Sequence, residues 1–179
     1  SLNIHIKMRI VILTISIMIF IGTIAYYAVS SITFNKNCGG YLELAANANS
    51  IDLAKSNLDK AIQYLEKNQL TTGYTSIVYN TPDENVTYWY ANLKACQHEL
   101  DVFSVRPGST LEETNFLMKL RESLTKPSSE GGQHIIIPQG ISIFPCNTQL
   151  LLILLMSLFG ICVSTIYCIF VHNKEYGYN

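Results

Sequence analysis

The sequence predicts an all-α membrane protein, with two transmembrane helices flanking a small extracytoplasmic helical bundle. Three observations predict it. Residues 10–34 and 150–171 contain no charged side chain, and roughly 20 mostly apolar residues carry a helix across a hydrocarbon core of about 30 Å. Between them, three segments place apolar residues at the spacing of one helix face. Each of those segments opens on residues suited to capping a helix.

Residues 10–34 form the first expected span, and residues 1–9 a short tail before it. Lys7 and Arg9 flank this span with His5 nearby, and Lys174 follows the second. Short basic flanks stay cytoplasmic while long domains cross largely regardless of their own charge. Both tails, 1–9 and 172–179, are therefore expected in the cytoplasm and the 35–149 domain outside it. A cleaved signal peptide is the rival for the first span, since Ala28-Val29-Ser30 resembles a small-residue cleavage site. The span is longer than the usual signal core of about 7–15 residues, which favours a retained helix.

Gly39-Gly40 predicts a break or bend beyond the span, because glycine weakens a helix interior by about 1 kcal/mol relative to alanine. Residues 41–48 are a candidate outward continuation of the same helix. The first helix of the bundle is expected over residues 50–68, where Ile51, Ala54, Leu58, Ala61, Ile62 and Leu65 form the apolar stripe and Asn49 or Ser50 the cap. Thr71-Thr72-Gly73 ends it, and residues 74–80 follow as a short extended piece or half-turn.

Thr81-Pro82-Asp83-Glu84 combines a capping hydroxyl, proline at the first helical position and acids near the positive helix end. It predicts a second helix from Pro82 to about Phe103, with Val86, Trp89 or Tyr90, Leu93, Cys96, Leu100 and Phe103 in line and Arg106-Pro107-Gly108 as its stop. Thr110-Leu111-Glu112-Glu113 repeats the capping pattern for a third helix, to about Thr125, carrying Phe116, Leu117, Leu120 and Leu124. Residues 126–132 read as a loop. Pro138 and Pro145 exclude a regular helix from residues 133–146, which should run extended back toward the membrane and the second span at 150–171.

The 35–149 stretch carries nine Lys or Arg against twelve Asp or Glu. With no basic run or face, nucleic acid is excluded as a partner. Cys38 and Cys146 lie just beyond the inner ends of the two spans and are candidate disulfide partners, with Cys96 a third thiol on the apolar line of the second helix. Cys162 and Cys168 read as packing residues. The aromatic cluster Tyr74, Tyr79, Tyr88, Trp89 and Tyr90 is a candidate recognition surface. The structural reading, favoured by helical spacing, places Trp89 and one or two of these tyrosines in the core. His98, Glu99 and Asp101 lack the spacing of a zinc site. With no Gly-x-Ser-x-Gly elbow or phosphate-binding glycine loop either, neither an enzyme nor a cofactor is expected. Gly22 with Ala25, and Gly160 with Ser164, put small residues on one face of each span, suited to packing the two spans together or to a contact between two copies. Asn85-Val86-Thr87 matches the glycosylation acceptor pattern but falls in the first turn of an expected helix.

Asn37-Cys38-Gly39-Gly40-Tyr41-Leu42, the run Gly73-Tyr74-Thr75-Ser76 leading to Tyr79 and Thr81-Pro82-Asp83-Glu84, Trp89-Tyr90 with Asn92-Leu93-Lys94, and Pro138-Gln139-Gly140-Ile141-Ser142 resemble an uncharacterised family of small bacterial two-span membrane proteins. That resemblance implies a bacterial inner-membrane protein with a helical extracytoplasmic domain and implies no activity. The layout also resembles the sensing half of a two-span receptor, although residues 172–179 leave no room for a signalling module. Two functions are expected from these readings. One is a structural or accessory membrane subunit that binds a protein partner; the other is a ligand-sensing ectodomain that signals through a membrane partner.

Overall fold

The computed structural model describes residues 2–106, 108–128, 131–175 and 177. The chain is mostly helical, with α1 Leu2–Phe34, α2 Gly40–Ala46, α3 Ile51–Lys67, α4 Val86–Val105, α5 Thr110–Leu124 and α6 Asn147–Glu175. An antiparallel pair, β1 Thr125–Pro127 with β2 Gln133–Ile135, aligns Thr125 with Ile135 and Lys126 with His134. Two compact units result: Ser1–Val29 with Cys146–Asn179, and Ser30–Pro145.

The first unit contains most of α1 and all of α6, both long and apolar enough to cross a membrane. Their contacts run antiparallel. The Arg9 guanidinium lies 4.9 Å from the centre of the Tyr167 ring, and Ser16 faces Gly160, where an added β-carbon would run into the serine side chain. Absence of a side chain at Gly160 lets the two helices approach closely there. Ser164, one turn further along, is buried. Gly22 and Ala25 are exposed, with nothing within 4 Å of a β-carbon built at Gly22. On α1 the small residue at the contact is instead Ser16.

The second unit is organised on α3. Ser50 caps it, its hydroxyl accepting from the Leu53 amide at 3.4 Å. Its stripe of Ile51, Ala54, Leu58, Ala61, Ile62 and Leu65 is buried, facing α2, the turn before α2, and α4. Leu42, Ala45 and Ala46 of α2, Val86, Trp89, Leu93 and Leu100 of α4, and Leu120 and Leu124 of α5 complete the core. Polar contacts stitch the α3–α4 rim. Lys55 pairs with Asp59 and Asp101, the Gln97 amide donates to Asp59 at 2.6 Å, and the Tyr90 hydroxyl donates to Glu66 at 2.6 Å. That bond holds the Glu66 carboxyl below the usual carboxylate range, while burial, with Glu66 second, pushes Tyr90 up to about 12.

Several elements differ from the sequence expectation. Gly39-Gly40 does not end the first helix. The backbone stays helical from Leu2 to Ala46 by inserting a π-turn, Asn35–Gly39. Phe34, Cys38 and Leu42 are all buried at four-residue spacing. In a regular α-helix each four-residue step overshoots a full turn by about 40°, whereas a π-turn, holding more residues per turn, under-rotates and returns these side chains to one face. Glycine fits the wider turn: the Gly40 amide donates to the Asn35 carbonyl, and a β-carbon at Gly40 would lie 3.1 Å from that same oxygen.

The Pro82 helix start becomes a separate 3-10 turn, Pro82–Glu84, and α4 begins at Val86 with Asn85 as its cap. In α5 the capping box belongs to Ser109 with Glu112, one residue earlier than expected. Residues 126–132 are in part β1 rather than a plain loop; of that loop 129–130, and of the expected stop Pro107, lie outside the described residues.

Substituting Gly40→Val should crowd the π-turn carbonyl and lower the thermal unfolding midpoint by an amount equivalent to about 1–3 kcal/mol. Gly22→Ala, in open space, should leave the midpoint unchanged or raised. Circular dichroism melts of the full-length variants in detergent check both outcomes.

Candidate functional site

The segment that links α3 to α4 folds back on itself and is clamped at its base. Gly73 turns the chain at φ +108° and sits against the Phe144 ring, where a β-carbon would approach within 2.9 Å. Its carbonyl accepts from the Val86 amide at 3.0 Å and its own amide donates to the Thr87 hydroxyl at 2.9 Å. The Thr75 amide donates to the Glu84 carbonyl at 3.0 Å, and Tyr74 bridges Asn85 in an isolated antiparallel pair.

Asn85 ties the two sides together. Its side-chain oxygen accepts from the Tyr88 amide at 2.9 Å, capping α4, while its side-chain nitrogen donates to the Tyr74 hydroxyl at 3.1 Å. All three residues of the Asn85-Val86-Thr87 acceptor pattern are thus engaged: Asn85 caps, Val86 is fully buried in the core, and Thr87 holds Gly73.

The five aromatic residues divide accordingly. Trp89 is buried, its indole N–H donating to the Ile136 carbonyl at 2.7 Å, and Tyr90 is half-buried against Glu66. Tyr74, Tyr79 and Tyr88 are exposed, Tyr79 at 74%. Ile77 and Val78 join them, Val78 at 87%. Sequence reasoning did not single out these two. The available signal was an apolar run between Gly73 and Pro82 with neither helical nor alternating partners to bury it. Residues 68–93 also carry two acids, Asp83 and Glu84, and no Lys or Arg. The result is an apolar, mildly acidic edge that is hydrogen-bonded at its base.

A second feature is a cleft of about 460 Å³ in the same unit, between the π-turn with α2 and the β1–β2 pair. None of the five aromatics lines it.

The cysteines are free. Cys38 is fully buried in the core, and burial pushes its thiol up to about 12, which suppresses the reactive thiolate. Cys146 is exposed and Cys96 half-buried. Asp101 and Glu99 are occupied by Lys55 and Lys119, and among the described residues no three of His, Cys, Asp and Glu gather to hold a metal ion.

Comparison with protein-family models, curated proteins and solved structures finds no match to this chain.

Replacing Asn85 with alanine should cost about 1 kcal/mol as a lost cap and also release the aromatic segment. Hydrogen exchange would then show faster exchange at the Tyr88 and Thr75 amides while the α3 core amides stay protected. Unchanged protection at Thr75 would mean that the base of the segment is held without Asn85.

Proposed function

We propose that the chain is a non-enzymatic integral membrane protein whose extracytoplasmic bundle docks another membrane protein through the edge formed by Tyr74, Ile77, Val78, Tyr79 and Tyr88. In this reading α1 and α6 span a bacterial inner membrane, with Lys7, Arg9 and Lys174 marking the cytoplasmic side. The bundle is then tethered in two places and meets its partners at the membrane.

One observation carries the proposal: a segment clamped at its base by backbone and side-chain hydrogen bonds, with its apolar side chains left in solvent. Exposed apolar patches of this kind mark interaction sites, and a segment already fixed loses less conformational entropy on binding. Its aromatic content matches the residues that dominate interface energetics. The absence of Lys and Arg from residues 68–93 favours a partner with an apolar pocket and a basic rim.

The test is affinity purification of the full-length protein in mild detergent, followed by mass spectrometry. Wild type should retain a stoichiometric membrane partner. Val78→Asp with Tyr79→Ala should lose it by at least tenfold, corresponding to about 1.4 kcal/mol, with an unchanged thermal melt because neither side chain contributes to the core. Recovery of a second copy of the chain alone, or equal recovery by the variant, would refute the proposed partner.

A further inference from the structure

The cleft beside the π-turn is lined mainly by polar side chains. Gly39 and Gly40 line it, and the Asn35 side-chain oxygen stands over Gly39, 2.9 Å from where a β-carbon would lie. Three carboxamides, Asn35, Asn47 and Gln133, stand around it with the Glu43 carboxylate and the His134 ring. Among the described residues, no Lys or Arg lines it. Thr125, whose hydroxyl donates to the Arg121 carbonyl at 2.8 Å, stands 3.2 Å from the Gln133 carboxamide. The cleft falls in the size range of small-molecule sites.

The geometry points to a binding site for a small polar molecule bearing a primary ammonium group. Among the described residues that line the cleft, Glu43 is the only Asp, Glu, Lys or Arg, and its carboxylate attracts a cation. An ammonium has three N–H donors. Glu43 and the carboxamide oxygens of Asn35 and Asn47 are acceptors within the same cavity, and the amide hydrogens suit hydroxyl or carbonyl groups on the rest of the ligand. Two sources share this chemistry: a free amine, and the ethanolamine headgroup of a lipid, since Asn35 follows directly on the expected span. This site is separate from the aromatic edge and does not depend on the partner proposed for it.

The single tryptophan gives the readout. Trp89 donates to the Ile136 carbonyl, and the neighbouring residues Ile135 and Ile137 line the cleft. Occupancy should therefore alter Trp89 fluorescence without a label. Full-length protein in detergent would be titrated with ethanolamine and putrescine, with acetate and sorbitol as controls, and in a second arm reconstituted in nanodiscs of phosphatidylethanolamine or phosphatidylglycerol. A saturable change with the free amines, weakened at least about tenfold by Glu43→Gln, would establish the site for a soluble amine. A change only in phosphatidylethanolamine discs, lost in Glu43→Gln, would establish it for the headgroup. No response in either arm, or an equal response from Glu43→Gln with an unaltered melt, would overturn the inference.

Discussion

Burial of the α3 stripe is the constraint on which the rest of the bundle depends. Ile51, Ala54, Leu58, Ala61, Ile62 and Leu65 lie along one side of a helix whose other positions are mostly polar or charged. The stripe can leave water only by drawing other helices onto it, and each leucine or isoleucine so covered contributes roughly 1.5–3 kcal/mol. Ala45 and Ala46 of α2 and Ala54 and Ala61 of α3 are all buried, small side chains that suit the close packing of α2 on α3. The π-turn serves the same end, because it keeps Phe34 and Cys38 on the face that Leu42 continues.

That constraint also explains which parts of the fold were legible in the sequence. The α3 stripe and its Ser50 cap could be read directly, because apolar spacing and a capping hydroxyl act over one or two turns. Elements set by distant partners could not. Thr81-Pro82-Asp83-Glu84 satisfies every local rule for a helix start, but the pairing of Tyr74 with Asn85 and of Thr75 with Glu84 across the folded-back segment holds Asn85 extended and confines the signal to one 3-10 turn. Gly39-Gly40 reads equally well as a break or as the wide turn that it forms. The β1–β2 pair, three residues on each side, is too short to produce a periodic pattern.

The same distinction applies to the two candidate sites. Helical spacing pointed to a core position for Trp89, and that is where it lies. Spacing has no bearing on Ile77, Val78 and Tyr79, whose exposure follows from the hydrogen-bonded base of their segment. The cleft was invisible for a different reason: it joins residues 35–47 to residues 125–137, brought together only when α5 packs on α2. Arg121, whose guanidinium donates to the Ala46 carbonyl at 3.1 Å, helps to hold that junction. Together these features describe a bundle with an apolar core that includes four alanines and two outward-facing surfaces of different chemistry, one apolar and aromatic, the other polar and concave.

The central claim is that the clamped apolar segment is an interface with another membrane protein. Site-specific photocrosslinking in native membranes tests it most directly, with a photoreactive residue placed at position 78 and, for comparison, at the exposed Glu122 of α5. The account predicts a discrete adduct with one other membrane protein from position 78 and none from position 122. The same adducts from both positions, a homodimer alone, or no adduct from position 78 would contradict it.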